Sequence, residues 1–311
     1  MAFLTDRKVS GLPYEEYFVS GHRACAGCGE ALMIRHVAKA AGPNTIAVMA
    51  TGCMEVVSTP YPETSWGFPW IHGAFENNSA IASGIDAALK MQGIRDKINL
   101  LVFGGDGGTF DIGFGALSGA LERGHKFTYV CTDNEAYMNT GIQRSGATPP
   151  YANTTTSPAG KAVHGKQEPK KPLPLIVASH GVKYVATASA SNIFDLHKKV
   201  KRALETPNAS FIHAYSVCPV GWYTKSDVAV ELSKLAVDSR VFPLYEIVDG
   251  VLSFTQKVEK DKAKPVKDYL QVQGRFKHLS EEEIEKIQKY VDERYDFLLG
   301  IEGKKCFDTL F

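Results

Sequence analysis

The sequence lacks any run of about 18 consecutive apolar residues, which argues against a transmembrane helix. It also lacks a dominant charge: 35 Lys and Arg against 34 Asp and Glu leave a formal net charge of +1. Electrostatic capture of nucleic acid or of an anionic membrane surface is therefore not expected. The opening MAFLTDRKVSGLPYEEYF carries acidic residues and no apolar h-region. It does not read as a secretory signal, and a soluble cytoplasmic protein is expected. Six cysteines in a long chain without that signal do not suggest a disulfide framework. Any that cluster point instead to metal ligation or catalysis. There is no compact multi-cysteine run, no internal repeat and no low-complexity tract. What is present is ordinary globular composition, 44% hydrophobic and 22% charged over 311 residues. That suffices for a sizeable core in one large domain or two of ordinary size.

Along the chain, an irregular arm to about residue 22 turns at Gly11-Leu12-Pro13. CAGCGEALMIRHVAKAAG then leads from a Gly-rich turn into an amphipathic helix stopped by Gly42-Pro43. A short apolar strand, Thr45–Ala50, is followed by a Pro/Gly/Trp-rich loop over 58–72 and a small-residue helix in ENNSAIASGIDAALKMQG. The nearly continuous apolar run 98–103 fits a strand buried on both faces, as in a parallel sheet. Gly104 to Gly108 end it. Helix 111–123, strand 127–131, helix 173–180, strand 183–187, helix 192–205 and strand 210–216 continue the alternation. This pattern predicts an α/β fold with a doubly wound, mostly parallel sheet. The Pro/Thr/Lys-rich stretch 145–172 is too long for an ordinary connection. From about 225, helix 229–236, a strand pair near 243–255 and the charged helix 280–299 read as a C-terminal extension. The helix EEEIEKIQKYVDER is most simply a solvated face with i,i+4 ion pairs.

Gly-Gly-Asp-Gly-Gly at the end of a buried strand brings backbone amides close to a diphosphate and offers one carboxylate to a divalent ion. Magnesium takes oxygen ligands and commonly bridges diphosphate oxygens. Asp106 stands at a strand's carboxyl end, where ligands of open α/β sheets bind. Asp133-Asn134 follows the next strand. Gly105-Asp106-Gly107, 26 residues and then Asn134 resemble the thiamine-diphosphate motif. In that motif Asp106, Asn134 and the carbonyl of Ala136 would bind Mg²⁺. The motif usually has Asn-Asn where this chain has Asp133-Asn134, so the ligand position itself is kept. The bland alternative is a Gly-rich turn with a capping Asp.

Cys25 and Cys28 form a CxxC turn ahead of a helix, while Cys53 (TGCM) and Cys218 (VCPVGW) each follow a strand. Thiols at two strand ends can converge at one sheet edge, and the CxxC turn can join them. Four thiolates hold either a [4Fe–4S] cluster or zinc, and the spacing leaves both open. Cys131 lies inside a strand and reads as a small core residue. Cys306 has no evident partner.

HRACAGCGEAL, TGCMEVVSTPYP, WIHGAFENNSAIASGI, GGDGGTFDIGFGALSGALERGH, DNEAYMNTGIQRSGATP and CPVGW, in that order, resemble the beta subunit of pyruvate:ferredoxin oxidoreductase over about residues 22–300. DNEAYMNTGIQRS is much more specific than GDG and looks like the form found in enzymes built from separate alpha, beta, gamma and delta chains. The resemblance implies a thiamine-diphosphate-binding domain over 1–224, with the N-terminal arm and the cluster cysteines. A C-terminal extension over 225–311 would pack on that domain or on partner subunits. It implies a [4Fe–4S] cluster on Cys25, Cys28, Cys53 and Cys218, in preference to zinc. Mg²⁺ would sit on Asp106, Asn134 and Ala136, and the cofactor would be lined by Thr51, Gly52, Cys53, Gly105, Asp106, Gly107, Asn134 and Ala136. Asn139 is expected near the thiazolium and the substrate carbonyl, its bland alternative being a turn-forming Asn. His72 and Glu76 match family positions without an assigned role, and His72 reads most simply as a core histidine.

The implied reaction is oxidative decarboxylation of pyruvate. The cofactor acts as electron sink, coenzyme A takes the acyl group, and electrons pass through the cluster to ferredoxin. The implied partners are an alpha subunit supplying the pyrimidine-binding domain and its activating Glu, gamma and ferredoxin-like delta subunits, and external ferredoxin. The chain is expected to be inactive alone. Lys161, Lys166, Lys170 and Lys171 in loop 145–172 suit an acidic partner or coenzyme A phosphates, with a solvated or subunit-packing loop as the alternative. The same architecture could serve oxalate or another 2-oxoacid. A non-redox thiamine-dependent decarboxylase would dispense with the four cysteines, and a zinc-stabilised assembly subunit would show no thiamine dependence.

Overall fold

Apolar runs without polar alternation become interior strands of a parallel sheet, because helices cover both faces. The structure is a computed structural model that describes residues 8–309. The first seven residues of the expected arm and the last two of the C-terminal extension lie outside them. A short hairpin, β1 (Lys8–Val9) and β2 (Leu12–Pro13), precedes α1 (Gly29–Ala41). The alternation then runs β3 (Thr45–Ala50), α2 (Cys53–Ser58), β4 (Trp70–Gly73), α3 (Asn78–Met91), β5 (Asn99–Gly105), α4 (Phe114–Glu122) and β6 (Thr128–Asp133). After the long connection come α5 (Leu173–Ala178), β7 (Tyr184–Ser189), α6 (Ile193–Glu205) and β8 (Ser210–Tyr215). The last part holds α7 (Ala229–Asp238), the hairpin β9 (Leu244–Val248) and β10 (Val251–Gln256), α8 (Val266–Gln271) and α9 (Glu281–Ile301).

Among the described residues the main sheet has eight strands in the order β10-β9-β7-β8-β6-β5-β3-β4. The six strands from β7 to β4 are parallel, and β9 and β10 add an antiparallel edge. One face is closed by α1 and α6, whose Met33, Val37, Leu196 and Val200 pack over Met49, Leu101 and Ile212. The other face is closed by Ala82, Leu117, Leu121 and Val177 over Val48, Val102 and Phe211. A third core around Trp222, Phe242, Tyr269 and Val291 joins the C-terminal segment to the end of β8. The fold is therefore the expected doubly wound, mostly parallel α/β sheet.

Three local readings change. The loop expected over 58–72 ends in a real strand, β4, which pairs in parallel with β3 at the sheet edge and was masked by Pro69 just before it. The helix expected from 111 opens at Gly107 with a wide turn, in which Gly113 N–H donates to Gly108 O at 2.7 Å, and becomes regular only at Phe114. Helix α8 was not anticipated at all. Residues beyond 225 do not hang apart from the sheet, because β9 pairs with β7. They turn back at Asp249-Gly250, both in the left-handed region that a tight hairpin demands.

Candidate functional site

The carboxyl ends of β3, β5, β6 and β8 open on one edge of the sheet, the edge where open α/β folds bind ligands. Asp106 ends β5 and is 1% exposed. Its Oδ2 accepts from the Ser145 hydroxyl, whereas its Oδ1 is buried with no hydrogen-bond partner. Burial, and then the neighbouring Asp133 carboxylate, push its pKa well above the carboxylate range. A buried, orphaned carboxylate oxygen is the signature of a group built to meet a cation. Gly107 beside it packs so closely on the Tyr137 ring that a Cβ would stand 2.4 Å from ring carbons. Tyr137 in turn donates to Gly107 O at 2.8 Å, which fixes the Gly-rich turn against the segment that follows β6.

That segment carries Asn134 and Ala136, both buried. The Asn134 side chain and the Thr132 hydroxyl stand close enough to the Glu30 carboxylate to favour its charged form. Glu30, in the first turn of α1, is 5% exposed, and burial drives its pKa to about 7. Asp106, Asn134 and Ala136 thus lie at adjoining strand ends, around one orphaned oxygen. Their donor chemistry fits a hard divalent ion.

The four cysteines expected to act together all reach this same edge. The CxxC turn is closed by Cys28 N–H to Cys25 O at 3.1 Å and anchored by Gly29 N–H to Val217 O at 3.0 Å. Gly27 in that turn has φ +74°, and a Cβ there would stand 1.8 Å from Ser226 O, so only glycine lets the turn close on the loop after β8. Cys28, Cys53 and Cys218 influence one another electrostatically, and Cys218 also feels Cys25. Burial first, and then Glu30, push the Cys28 thiol up to about 12. Burial pushes Cys218 up to about 11, and it drives Cys53 further still. Gly221 N–H donates to Cys218 Sγ at 3.3 Å. All six cysteines are free; Cys131 is buried inside β6 and Cys306 is exposed. Among the described residues no group of three or more His, Cys, Asp or Glu side chains is arranged to hold a metal ion. The four thiols gather on one edge without a finished ligand shell.

Asn139 stands near enough to the Cys53 thiol to favour its charged form, and sits exposed in the turn 138–141. Thr51 N–H and Oγ1 both bind Gly73 O, at 3.0 and 3.1 Å, and tie TGC to the end of β4. His72 is not a core residue: its side chain is 44% exposed, with Nε2 2.6 Å from Thr51 Oγ1 and Nδ1 3.7 Å from Glu55. As an edge-strand position it points outward, which its neighbours Trp70 and Ile71 disguised in sequence. Glu76 is exposed. Of the four lysines singled out in loop 145–172, Lys161 is exposed, whereas the other three have partners within the chain. Lys166 is buried and donates from Nζ to Thr148 O at 2.6 Å, and Lys170, its side chain 9% exposed, pairs through Nζ with Asp133 and Glu135. Lys171 pairs with Asp111 at 2.6 Å. Glu30 and Ser145 escaped sequence reading, and Lys170 was expected to meet an acidic partner or coenzyme A and not Asp133 and Glu135. Only Glu30, two residues past CxxC, carried a signal that could have marked it.

Residues 50–214 match the family described as thiamine pyrophosphate enzyme, C-terminal TPP binding domain. Pyruvate synthase subunit PorB of Methanocaldococcus jannaschii is 52% identical over 94% of this chain and 99% of that protein. PorB of Thermotoga maritima is 45% identical over 91% of each. Ketoisovalerate oxidoreductase subunit VorB of Pyrococcus abyssi is 44% identical over 92% of this chain and 94% of that protein. Among solved structures, 2-oxoglutarate:ferredoxin oxidoreductase from Magnetococcus marinus superposes with a TM-score of 0.56 at 23% identity, over 70% of this chain and 79% of that one, a likeness of fold.

Proposed function

Because the chain belongs to the thiamine-pyrophosphate-binding family of 2-oxoacid oxidoreductase subunits that includes pyruvate synthase PorB, we propose that it is the beta subunit of a pyruvate:ferredoxin oxidoreductase. It would convert pyruvate and coenzyme A to acetyl-CoA and CO₂ in a complex with partner subunits. The observation that carries the cofactor reading is the orphaned Oδ1 of Asp106, buried at a strand end beside Asn134. When bound, thiamine diphosphate supplies the electron sink for decarboxylation, and a thiol-ligated [4Fe–4S] cluster supplies the one-electron acceptor.

The chain's own residues have distinct tasks in this reading. Asp106, the Asn134 side chain and the Ala136 carbonyl would hold Mg²⁺, and the amides of the turn after β5 would face the diphosphate. Ser145 holds the second oxygen of Asp106, so the carboxylate keeps one orientation. Thr51, Gly52 and Cys53 line the cofactor edge. Cys25, Cys28, Cys53 and Cys218 would ligate the cluster, and the ion would bring down thiol pKa values that burial has raised. Asn139, exposed near the Cys53 thiol, would orient the substrate carbonyl. An alpha subunit would close the open edge and supply the activating Glu, and ferredoxin-like subunits would carry electrons onward.

The test is to purify the complex without oxygen and quantify iron, sulfide, zinc and thiamine diphosphate. About four iron and four sulfide assigned to this chain, lost in Cys53→Ser, with thiamine diphosphate present, supports the reading. Zinc in place of iron overturns the redox part, and thiamine without metal at the thiols favours a non-redox decarboxylase. A panel of pyruvate, 2-oxoisovalerate, 2-oxoglutarate and oxalate then tests the substrate, since a ketoisovalerate oxidoreductase subunit is nearly as similar as the Thermotoga PorB.

A further inference from the structure

The segment Asp133-Asn134-Glu135-Ala136 alternates its tasks. Positions 134 and 136 face the cofactor edge, while the carboxylates of 133 and 135 turn inward to three buried partners. Lys170 Nζ lies 2.5 Å from Asp133 Oδ2 and 2.9 Å from Glu135 Oε1. His213 Nε2 lies 2.6 Å from the same Asp133 oxygen, and Arg275 Nη2 lies 2.5 Å from Glu135 Oε2. No side chain of the five is more than 9% exposed. Two cations and two carboxylates balance, with His213 held neutral by burial against the pull of Asp133.

The backbone is pinned as well. Glu135 has φ +68°, a left-handed conformation that a non-glycine residue seldom adopts. Its N–H donates to Asp133 Oδ1 at 2.9 Å and its carbonyl accepts from Thr148 Oγ1 at 2.6 Å. The Asn134 carbonyl accepts from Trp222 Nε1 at 2.8 Å, and the Trp222 ring lies 3.9 Å beneath the Arg275 guanidinium. The ion pairs do not engage the Asn134 side chain, whose Oδ1 accepts a long bond from Ala136 N–H at 3.4 Å, or the Ala136 carbonyl. Buried ion pairs are weak evidence for stability, since apolar replacements often serve as well, and they are better explained by a demand for one conformation.

We propose that Lys170, Arg275 and His213 are positioning residues, which with Asp133 and Glu135 form a buried frame holding Asn134 and Ala136 in metal-binding register before any ion arrives. Resting on the thiamine-diphosphate reading above, this gives loop 145–172 and the segment around Arg275 a role in cofactor affinity without contact with the cofactor. Lys170 also lines a largely apolar cavity of about 460 Å³, so Lys170→Met finds room there.

The experiment uses the complex with its partner subunits, stripped of Mg²⁺ and thiamine diphosphate by chelation. Retained thiamine diphosphate is measured by equilibrium dialysis across a Mg²⁺ titration. Lys170→Met is expected to raise half-saturating Mg²⁺ about 10- to 100-fold, the range for groups that orient metal ligands. Lys170→Arg should restore most of that loss, and Lys198→Met, exposed on α6 away from the site, should behave as the parent. The sign is informative: a purely electrostatic role would leave an extra negative charge near the ion and tighten Mg²⁺ binding. Parent-like or tighter saturation in Lys170→Met overturns the proposal. Should Lys170→Met not assemble, the charge-balanced pair Lys170→Met/Glu135→Gln replaces it, and parent-like saturation there overturns the proposal equally. A parent complex that retains no thiamine diphosphate at any Mg²⁺ instead refutes the cofactor reading, and the proposal falls with it.

Discussion

At the ends of β5 and β6, Asp133, Glu135, Lys170 and Arg275 pair inside the chain, and one carboxylate oxygen of Asp106 is left over. At the CxxC turn and after β3 and β8, burial, with Glu30 adding to it, raises the thiol pKa of Cys28, Cys53 and Cys218. The first region is built of buried strand ends locked by charge. The second is built of half-buried loops held by close glycine contacts and backbone hydrogen bonds. On the reading proposed above, the hard-ion site would be finished by the polypeptide, whereas the thiolate site would be completed by its metal, because burial favours the protonated thiols until an ion binds.

Four substitutions sharpen or break this comparison. The largest effect is expected from Cys218→Ser, which should remove essentially all iron from this chain while thiamine diphosphate retention stays near the parent's. Metal analysis and dialysis on one preparation check it, and joint loss of both would show that the two regions are one unit. Asp106→Asn should do the reverse, lowering Mg²⁺-dependent retention of thiamine diphosphate by at least about 100-fold with iron content kept. Gly27→Ala forces a Cβ to within 1.8 Å of Ser226 O and should destabilise the chain by about 1–3 kcal/mol, read by thermal unfolding. An iron content that falls with it would place the damage at the thiol region.

The smallest effect concerns α1, the helix that follows CxxC. His36 Nδ1 on α1 lies 3.2 Å from His197 Nε2 on α6, and burial, with His36 and then Lys39 adding to it, lowers His197 to about 4. A histidine depressed in the fold stays neutral there and takes up a proton on unfolding. Stability is therefore lost as pH falls from the unfolded value near 6.5 toward 4. His197→Phe should remove part of that acid sensitivity, a few degrees in Tm. An unchanged acid limb in the variant would assign it to other groups.

Much of the fold was legible because its strands are long apolar runs punctuated by glycine, and because Asp106 and the CxxC turn stand at the changes of period. Strand β4 was not, since four residues after a proline carry too little pattern to separate from a loop. The positions proposed for the metal and the thiols could be named by spacing and resemblance, but the groups packed behind them could not. Lys170 and Arg275 meet Glu135 from 35 and 140 residues away, and in sequence each is an ordinary charged residue. The exposed placement of His72 was hidden for a related reason, because edge-strand geometry decides which way an isolated histidine faces.

The most direct test of the contrast is amide hydrogen exchange on the complex, followed by mass spectrometry, before and after removal of Mg²⁺ with thiamine diphosphate and, separately, of iron. The account predicts that residues 132–137 and 145–148 stay protected when magnesium and cofactor are withdrawn, while 25–29 and 217–222 lose protection when iron is withdrawn. Rapid exchange over 132–137 in the magnesium-free complex would contradict it, because the metal turn would then be ordered by its ion and not by the chain.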